Sequence, residues 1–259
     1  MMTRAHTETL RLLGGRRQEG APPGVAVLTA PLHPAQGREG DTFTMVLDLG
    51  EGVPSRLYRE VREVAAQAFW STPGGVTAAL RRAMAAANRV LFHHNQQVAP
   101  EERCYGALSC AALRPGELFL AQVGAACAAA LCGGLLERFP RESLPPLGAA
   151  AYVEVRVAYL VVRPGDTLVL ASRGLAHTAS DDALRRVLSL AEMDAVADGL
   201  EQVAGGADFT ALMVRWPPEA ALAAPSPTPP RRRRRAVPPP PGPSPGRADN
   251  RCRSHRDRT

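Results

Sequence analysis

Lysine is absent from this 259-residue chain, and all 31 of its basic residues are arginine. The absence excludes a nucleotide-binding loop of the form Gly-x-x-x-x-Gly-Lys, because that loop needs its lysine at the phosphates. The chain is also rich in alanine, glycine and proline, which is typical of a GC-rich genome. We therefore interpret the missing lysine as a compositional bias and not as a device for recognition.

Cysteine is scarce, and none of the five cysteines forms a Cys-x-x-Cys pair, which argues against a zinc site. The odd number of cysteines and the polar N-terminal stretch predict a reduced, cytoplasmic protein. No apolar run approaches the ~18 residues that span a bilayer. One interpretation places Cys104 opposite Cys127 across a hairpin, and the simpler one treats the cysteines as small buried hydrophobes.

Charge is concentrated at one end of the chain. Residues 217–259 hold twelve of the 24 prolines and ten arginines against three acids, whereas residues 1–216 hold 21 basic and 22 acidic side chains. The near-neutral body therefore shows no electrostatic preference for nucleic acid.

The segment 217–259 is predicted to be a disordered basic tail with polyproline character, because it cannot bury enough apolar surface to fold alone. An arginine run in it predicts contact with a polyanion, which could be an acidic protein, an anionic lipid or a nucleic acid. A solvated extension without a partner is the alternative. The run consists of Arg231, Arg232, Arg233, Arg234 and Arg235.

Hydrophobic periodicity in the body predicts an α+β fold with antiparallel sheets. Residues 1–20 suggest a frayed lead-in or a short helix, so the folded domain is expected to span residues 24–216 after a lead-in at 1–23. The other predicted elements are strands at 24–30 and 42–49, helices at 55–70 and 76–97, hairpin strands between 105 and 139, strands at 152–162 and 167–171, two helices after an N-cap at Ser180, and a strand at 209–216. This order is not a βαβ alternation and favours two sheets packed face to face with helices outside.

Two stretches late in the body carry recognisable motifs. Residues 164–176 read Pro-Gly-Asp-Thr-Leu-Val-Leu-Ala-Ser-Arg-Gly-Leu-Ala, and residues 206–216 read Gly-Ala-Asp-Phe-Thr-Ala-Leu-Met-Val-Arg-Trp. They resemble the closing motifs of the metal-dependent PPM (type 2C) protein phosphatases, Pro-Gly-Asp-x-Leu-Leu-Leu-x-Ser-Asp-Gly-Leu and Asp-Asp/Asn-Ile-Thr. The resemblance extends over about residues 24–216 and implies a four-layer α-β-β-α sandwich of two antiparallel sheets.

The resemblance also implies that the catalytic site has been dismantled. Active family members hold two Mg²⁺ or Mn²⁺ ions on carboxylates, and the ions supply the attacking water and clamp the phosphate. Asp48 and Asp208 match family metal ligands and are the remnant of that site. The family positions that carry other residue types are Leu49, Ala125, Arg173 and Ala207. No intact catalytic set is left, and Arg38 with Asp41 is at best a remnant of a further, N-terminal motif.

Two functions follow from the resemblance. The first is a catalytically impaired PPM-type protein, or pseudophosphatase, that acts as a regulatory or binding module for a phosphoprotein or signalling partner and needs no metal. The alternative is an active serine/threonine phosphoprotein phosphatase whose Mg²⁺ or Mn²⁺ site is rebuilt from Asp48, Asp208 and Glu51.

Two smaller expectations concern individual side chains. We expect the Arg173 guanidinium to lie between Asp48 and Asp208 in place of a metal ion, with extension into solvent as the alternative. His93, His94 and His177 lack ligand partners at metal spacing and are expected to be ordinary surface or core residues.

Overall fold

The computed structural model describes residues 5–140 and 144–217. Within them eleven strands run His6–Leu13 (β1), Arg16–Arg17 (β2), Val25–Thr29 (β3), Thr42–Asp48 (β4), Ala107–Arg114 (β5), Glu117–Val123 (β6), Cys127–Cys132 (β7), Leu135–Phe139 (β8), Arg156–Val161 (β9), Thr167–Ala171 (β10) and Phe209–Arg215 (β11). The α-helices of the same residues are Ser55–Ser71 (α1), Val76–Gln97 (α2), Arg173–Thr178 (α3), Asp181–Leu188 (α4) and Met193–Ala204 (α5).

The strands form two sheets, and every neighbouring pair is antiparallel. The six-stranded sheet has the order β2-β1-β11-β10-β7-β8, and the five-stranded sheet has the order β3-β4-β5-β6-β9. Strand β11, the last of the described chain, therefore lies between β1 and β10.

Side chains alternate between the two faces of each strand. The four layers therefore enclose three hydrophobic cores, one between the two sheets and one between each sheet and its helices. On β4, Phe43, Met45 and Leu47 pack against α1 and α2, whereas Val46 faces the other sheet. On β11, Phe209, Ala211 and Met213 pack against α3 to α5, whereas Leu212 and Val214 face the five-stranded sheet. The predicted α+β class and four-layer α-β-β-α sandwich are confirmed.

Individual residues at the helix ends explain where the helices begin and end. Pro54 precedes α1, and Gly75 precedes α2 after a break in which Gly74 has a φ of 86°. Ser180 caps α4 as predicted, since the Ala183 amide donates to its Oγ at 3.2 Å. Gly205 ends α5 with a left-handed φ of 59°.

Two parts of the predicted element order are wrong. Residues His6–Leu13 form β1, a strand of the six-stranded sheet, and not a frayed lead-in or a helix. Three α-helices, not two, follow β10 among the described residues, because the short α3 begins directly after Ser172.

The four cysteines of the described residues are all free thiols. Cys104 packs beside the α1–α2 core and Cys127 belongs to the α3–α5 core, so the two lie in different layers and do not face each other across a hairpin. Cys110 and Cys127 are buried, as the hydrophobe interpretation expects, and Cys132 is half-buried. Burial raises the pKa of the Cys132 thiol to about 11, so this thiol is largely protonated at neutral pH.

Within residues 5–140 and 144–217, no helix has the length and apolar character needed to cross a membrane. The predicted disordered tail, including its arginine run, lies outside the described residues, apart from Pro217.

Candidate functional site

A cavity of about 750 Å³ lies where ends of the two sheets meet. Three carboxylates and two guanidinium groups line it, from Asp48, Glu51, Asp208, Arg11 and Arg173. The cavity therefore brings together Asp48 and Asp208, the glutamate of the alternative function and Arg173, which were all named from the sequence.

Asp48 ends β4 and is held by the loop that follows it. Its Oδ1 accepts the Gly50 amide at 3.1 Å. The Tyr58 hydroxyl on α1 accepts the Leu49 amide and donates to the Gly50 carbonyl oxygen, both at 3.2 Å. Burial raises the pKa of Tyr58, and the Asp48 carboxylate adds to that effect. Tyr58 thus fixes the loop that presents Asp48, and it remains a neutral hydroxyl at physiological pH.

Ser172 and Gly174 fix the opposite wall of the cavity. The Thr210 amide donates to Ser172 Oγ at 3.0 Å, and the Ser172 amide donates to the Thr210 carbonyl oxygen at 2.9 Å. A Cβ on Gly174 would lie 2.1 Å from the Asp208 carbonyl oxygen, so only glycine fits there. The serine and glycine of the family-like motif thus lock the start of α3 onto β11.

Asp208 is turned toward the N-terminal hairpin. Its Oδ1 accepts the Gly14 amide at 2.6 Å, in the turn between β1 and β2 where Gly14 has a φ of 57°. Arg17, just beyond that turn, binds Asp198 at 2.7 Å and Glu201 at 2.9 Å on α5. The hairpin is therefore attached at its turn and at β2, and the turn occupies one oxygen of the Asp208 carboxylate.

Arg173 does not pair with either aspartate. Its side chain is exposed, and the described residues offer it no hydrogen bond and no ion pair within 4 Å. The expected bridge between Asp48 and Asp208 is thus wrong for this structure, and the alternative of a solvent-directed arginine is correct. Each aspartate instead accepts a backbone amide at one of its oxygens.

The other substituted positions do not contribute to the cavity wall. Leu49 is buried in the α1–α2 core, where its Cδ2 occupies the space that a Cβ on Gly106 would need. Ala125 is exposed in the β6–β7 turn, and Ala207 is half-buried just before Asp208. None of the three lines the cavity.

This donor set does not fit a two-metal centre. Asp208 gives one oxygen to the Gly14 amide, Ala125 and Ala207 have no donor atoms, and Arg173 brings a permanent cation to the wall. Within the described ranges, no group of three or more His, Cys, Asp or Glu side chains is placed to hold a metal ion.

Arg38 and Asp41 lie at the other end of β4, away from the cavity. Arg38 is fully buried, stacks on the Phe69 ring, and lies 3.5 Å from Asp41, which also binds Arg114. Burial lowers the pKa of the Arg38 guanidinium, and Asp41 partly offsets this. The pair anchors the β3–β4 loop and does not line the cavity, and its reading as a remnant of a further motif stays a prediction.

Arg11 and Tyr58 are cavity residues that the sequence analysis missed. Arg11 lies on β1, whose only buried apolar side chains, Leu10 and Leu12, give a weak alternation. Tyr58 follows the helical pattern of α1 and carries no signal for its hydrogen bonds. The three histidines are unremarkable, since His93 and His177 are exposed and His94 is half-buried.

The arrangement of the two sheets and the five helices is the PPM phosphatase fold. PppA, described as a key regulatory component of T6SS in Pseudomonas aeruginosa, matches with a TM-score of 0.61 and 22% identity over 83% of this chain and 98% of that chain. The catalytic domain of the serine/threonine protein phosphatase PstP, in complex with two manganese ions, matches with a TM-score of 0.59 and 19% identity over 82% and 96%. The serine/threonine phosphatase Stp1 from Staphylococcus aureus matches with a TM-score of 0.64 and 15% identity over 83% and 95%.

No family model matches the chain, and no curated protein matches its sequence. At the identities of the three structures the likeness establishes the fold.

Proposed function

We propose that this protein is a catalytically impaired phosphatase-fold protein that acts as a regulatory or binding module for a phosphorylated signalling partner. The observation that carries the proposal is the bond between Gly14 and Asp208. A carboxylate oxygen of a remnant metal ligand is used inside the protein at 2.6 Å, and the cationic Arg173 stands on the wall beside it. A permanent cation close to a dication site is a like-charge conflict.

The retained frame supports a binding role. Ser172, Gly174 and Tyr58 keep both walls of the cavity in place although the family ligands at positions 173 and 207 are gone. A preserved cavity with a lost metal set suits recognition of a ligand better than turnover. The likeness to PppA, which is itself described as a regulatory component, points in the same direction.

The alternative is an active metal-dependent serine/threonine phosphoprotein phosphatase. Its specific support is that Asp48, Glu51 and Asp208 all line one cavity. Hard oxygen ligands of this kind are those that Mg²⁺ and Mn²⁺ prefer. In this reading Asp208 binds the ion through its second oxygen, because a carboxylate can accept an amide at one oxygen and coordinate a cation at the other.

Hydrolysis of p-nitrophenyl phosphate by the full chain, with Mn²⁺ and with EDTA, separates the two functions. We expect the same rate in both conditions, equal to that of an Asp48→Asn variant. Calorimetric titration with Mn²⁺ is expected to show no micromolar site. Mn²⁺-dependent turnover that disappears in Asp48→Asn would establish the phosphatase instead.

A further inference from the structure

Strand β9 is an open edge of the five-stranded sheet, since it pairs with β6 alone. The Val162 amide donates to the Gly116 carbonyl oxygen at 3.0 Å, so the backbone of residue 162 is directed toward β6. Because this direction alternates along an antiparallel strand, the N–H and C=O groups of Val157, Tyr159 and Val161 point away from the sheet. No described residue forms a hydrogen bond with these outward groups.

The other edges of the two sheets carry protection that β9 lacks. At β3, the Arg62 guanidinium donates to the Val25 carbonyl oxygen at 3.3 Å. Strand β8 contains Glu137 and Arg138, and β2 is only two residues long. Charges and short strands of this kind discourage pairing with a further strand. Residues 157–161 of β9 read Val-Ala-Tyr-Leu-Val, with neither a charge nor a proline, so the sequence of this edge permits pairing.

The side chains at this edge are apolar and exposed. Tyr159 and Val161 are 54% and 56% exposed, and they share a face of the sheet with Val157, which packs beside the α1–α2 core. The ring of Phe119 on β6 lies 5.0 Å from the ring of Tyr159, measured between centroids. The apolar surface therefore continues to the rim of the sheet, where the side chains of an added strand would pack against it.

We propose that two copies of this chain form a dimer by antiparallel pairing of their β9 strands, with Tyr159 opposite Tyr159 of the second copy. In this register Val157 of each copy lies opposite Val161 of the other. All the outward groups of the three residues then pair, and each opposed pair exchanges two hydrogen bonds. The dimer has a continuous sheet of ten strands, five from each copy.

The neighbouring registers are less favourable. A shift by two residues in one direction places Val161 opposite Val155, whose carbonyl oxygen already accepts the Arg81 guanidinium at 3.3 Å. The opposite shift places Val157 opposite Arg163, whose amide already donates to Asp166 at 2.7 Å. A shift by one residue would turn the helix layer of one copy to the other face of the joint sheet.

Charge and symmetry both favour a second copy as the occupant of this edge. Antiparallel pairing brings the start of β9, preceded by Glu154, beside the end of β9 of the other copy, followed by Arg163. Arg163 is exposed and forms no ion pair with another described residue, so opposite charges meet at both ends of the interface. The interface is self-complementary and closes at two copies. One pair of strands buries less than the roughly 1,200 Å² of a stable complex, so we expect micromolar or weaker affinity.

This dimer is independent of the proposed function, because no residue of β9 lines the cavity. Sedimentation equilibrium of the full chain, from micromolar to submillimolar concentrations, tests it. We expect the average mass to rise from that of one chain toward that of two.

Two variants should weaken the association by about tenfold or more. Tyr159→Lys sets two cations opposite each other at the symmetry axis. Val161→Pro removes an outward N–H from each copy and leaves the bonds between β6 and β9 in place. The matched control is Val27→Lys, on the β3 edge, where Val27 is 40% exposed. It should associate as the parent does.

Hydrogen exchange followed by NMR gives a second measurement. The amides of Val157, Tyr159 and Val161 should exchange quickly in the monomer and slow down as the concentration rises. The amides of Ala158 and Leu160 point toward β6 and should be protected at every concentration.

A parent chain that stays monomeric throughout overturns the proposal and leaves the β9 edge to an extended segment of a different protein. Association that persists in Tyr159→Lys also overturns it, as does exchange at the three outward amides that does not change with concentration. Tyr159→Lys alters an exposed side chain, so it decides the matter if Val161→Pro fails to fold.

Discussion

Arg173 shows how the surroundings of one side chain decide its role. A guanidinium group between two carboxylates would be a structural ion pair, and its removal would leave buried charge behind. In this structure both aspartates are already engaged by backbone amides, and Arg173 points to solvent. Arg173 is therefore available for a ligand and contributes little to the fold.

We predict that Arg173→Ala changes the free energy of unfolding by no more than about 0.5 kcal/mol at neutral pH, as is usual for exposed residues without partners. Equilibrium unfolding in urea measures the change. A loss of more than about 1 kcal/mol would show that Arg173 pairs with Asp48 or Asp208 in solution.

For Gly174, in contrast to Arg173, we expect a substitution to lower the stability of the protein. Its added methyl group would lie 2.1 Å from the Asp208 carbonyl oxygen, so α3 or β11 must move to admit it. We expect Gly174→Ala to destabilise the protein by about 1–3 kcal/mol, which is typical of overpacking, and to disturb the cavity wall. Thermal unfolding measures this effect.

The matched control for Gly174→Ala is Gly75→Ala. A Cβ on Gly75 meets nothing within 4 Å, and its φ of −66° suits any residue. A control that loses as much stability as Gly174→Ala would mean that the close approach to β11 does not matter.

Among the elements, the β1–β2 hairpin contributes to the cavity in two ways. It supplies Arg11 to the wall and the Gly14 amide to Asp208, while Arg17 attaches it to α5. Strand β1 is paired along β11 but β2 has only two residues, so we expect the attachments of the turn and of β2 to decide how often the turn opens.

We predict that Arg17→Ala speeds hydrogen exchange at the Gly14 amide while costing only about 0.5–1 kcal/mol in global stability, because the Arg17 ion pairs are solvent-exposed. Exchange followed by NMR gives the rate at this single amide. Arg16→Ala is the control, since Arg16 is exposed and makes no such bridge. Unchanged exchange at Gly14 would show that the Asp208 bond alone holds the turn.

The elements differ in how well the sequence predicts them. Helix α2 matches its predicted range because twenty-two residues repeat one periodicity between Gly75 and the Pro100 break. Strand β1 was missed because its pairing partner is β11, about 200 residues away in the sequence, and its own alternation is short. The brief α3 lacks the length for a periodic signal.

The candidate site also has features that the sequence predicts and features that it does not. Motif resemblance placed Asp48, Arg173 and Asp208 around one cavity, and the structure confirms that they share it. The Asp208 carboxylate accepts the amide of Gly14, which is 194 positions away in the sequence. No local pattern encodes a bond of that separation, so the sequence could not reveal which carboxylates are engaged.

For the molecule as a whole, the charge of the tail and the neutrality of the body suggest separate tasks. We predict that deletion of residues 217–259 leaves the melting temperature almost unchanged and abolishes salt-sensitive binding to a polyanion such as heparin. This prediction is based on the charge of that segment, which holds ten arginines and three acidic residues. Calorimetry and binding at two salt concentrations measure both effects, and a fall of many degrees would show that the tail packs on the body.

The position of β11 in the sheet has a consequence for synthesis of the protein. The strand fills the gap between β1 and β10, so the six-stranded sheet stays incomplete until Arg215 has left the ribosome. Contacts of such long sequence separation form slowly. During this interval β1 and β10 each present an open edge, and an open edge can pair with other chains. The risk of aggregation in the newly made chain therefore depends on how soon its last strand becomes available.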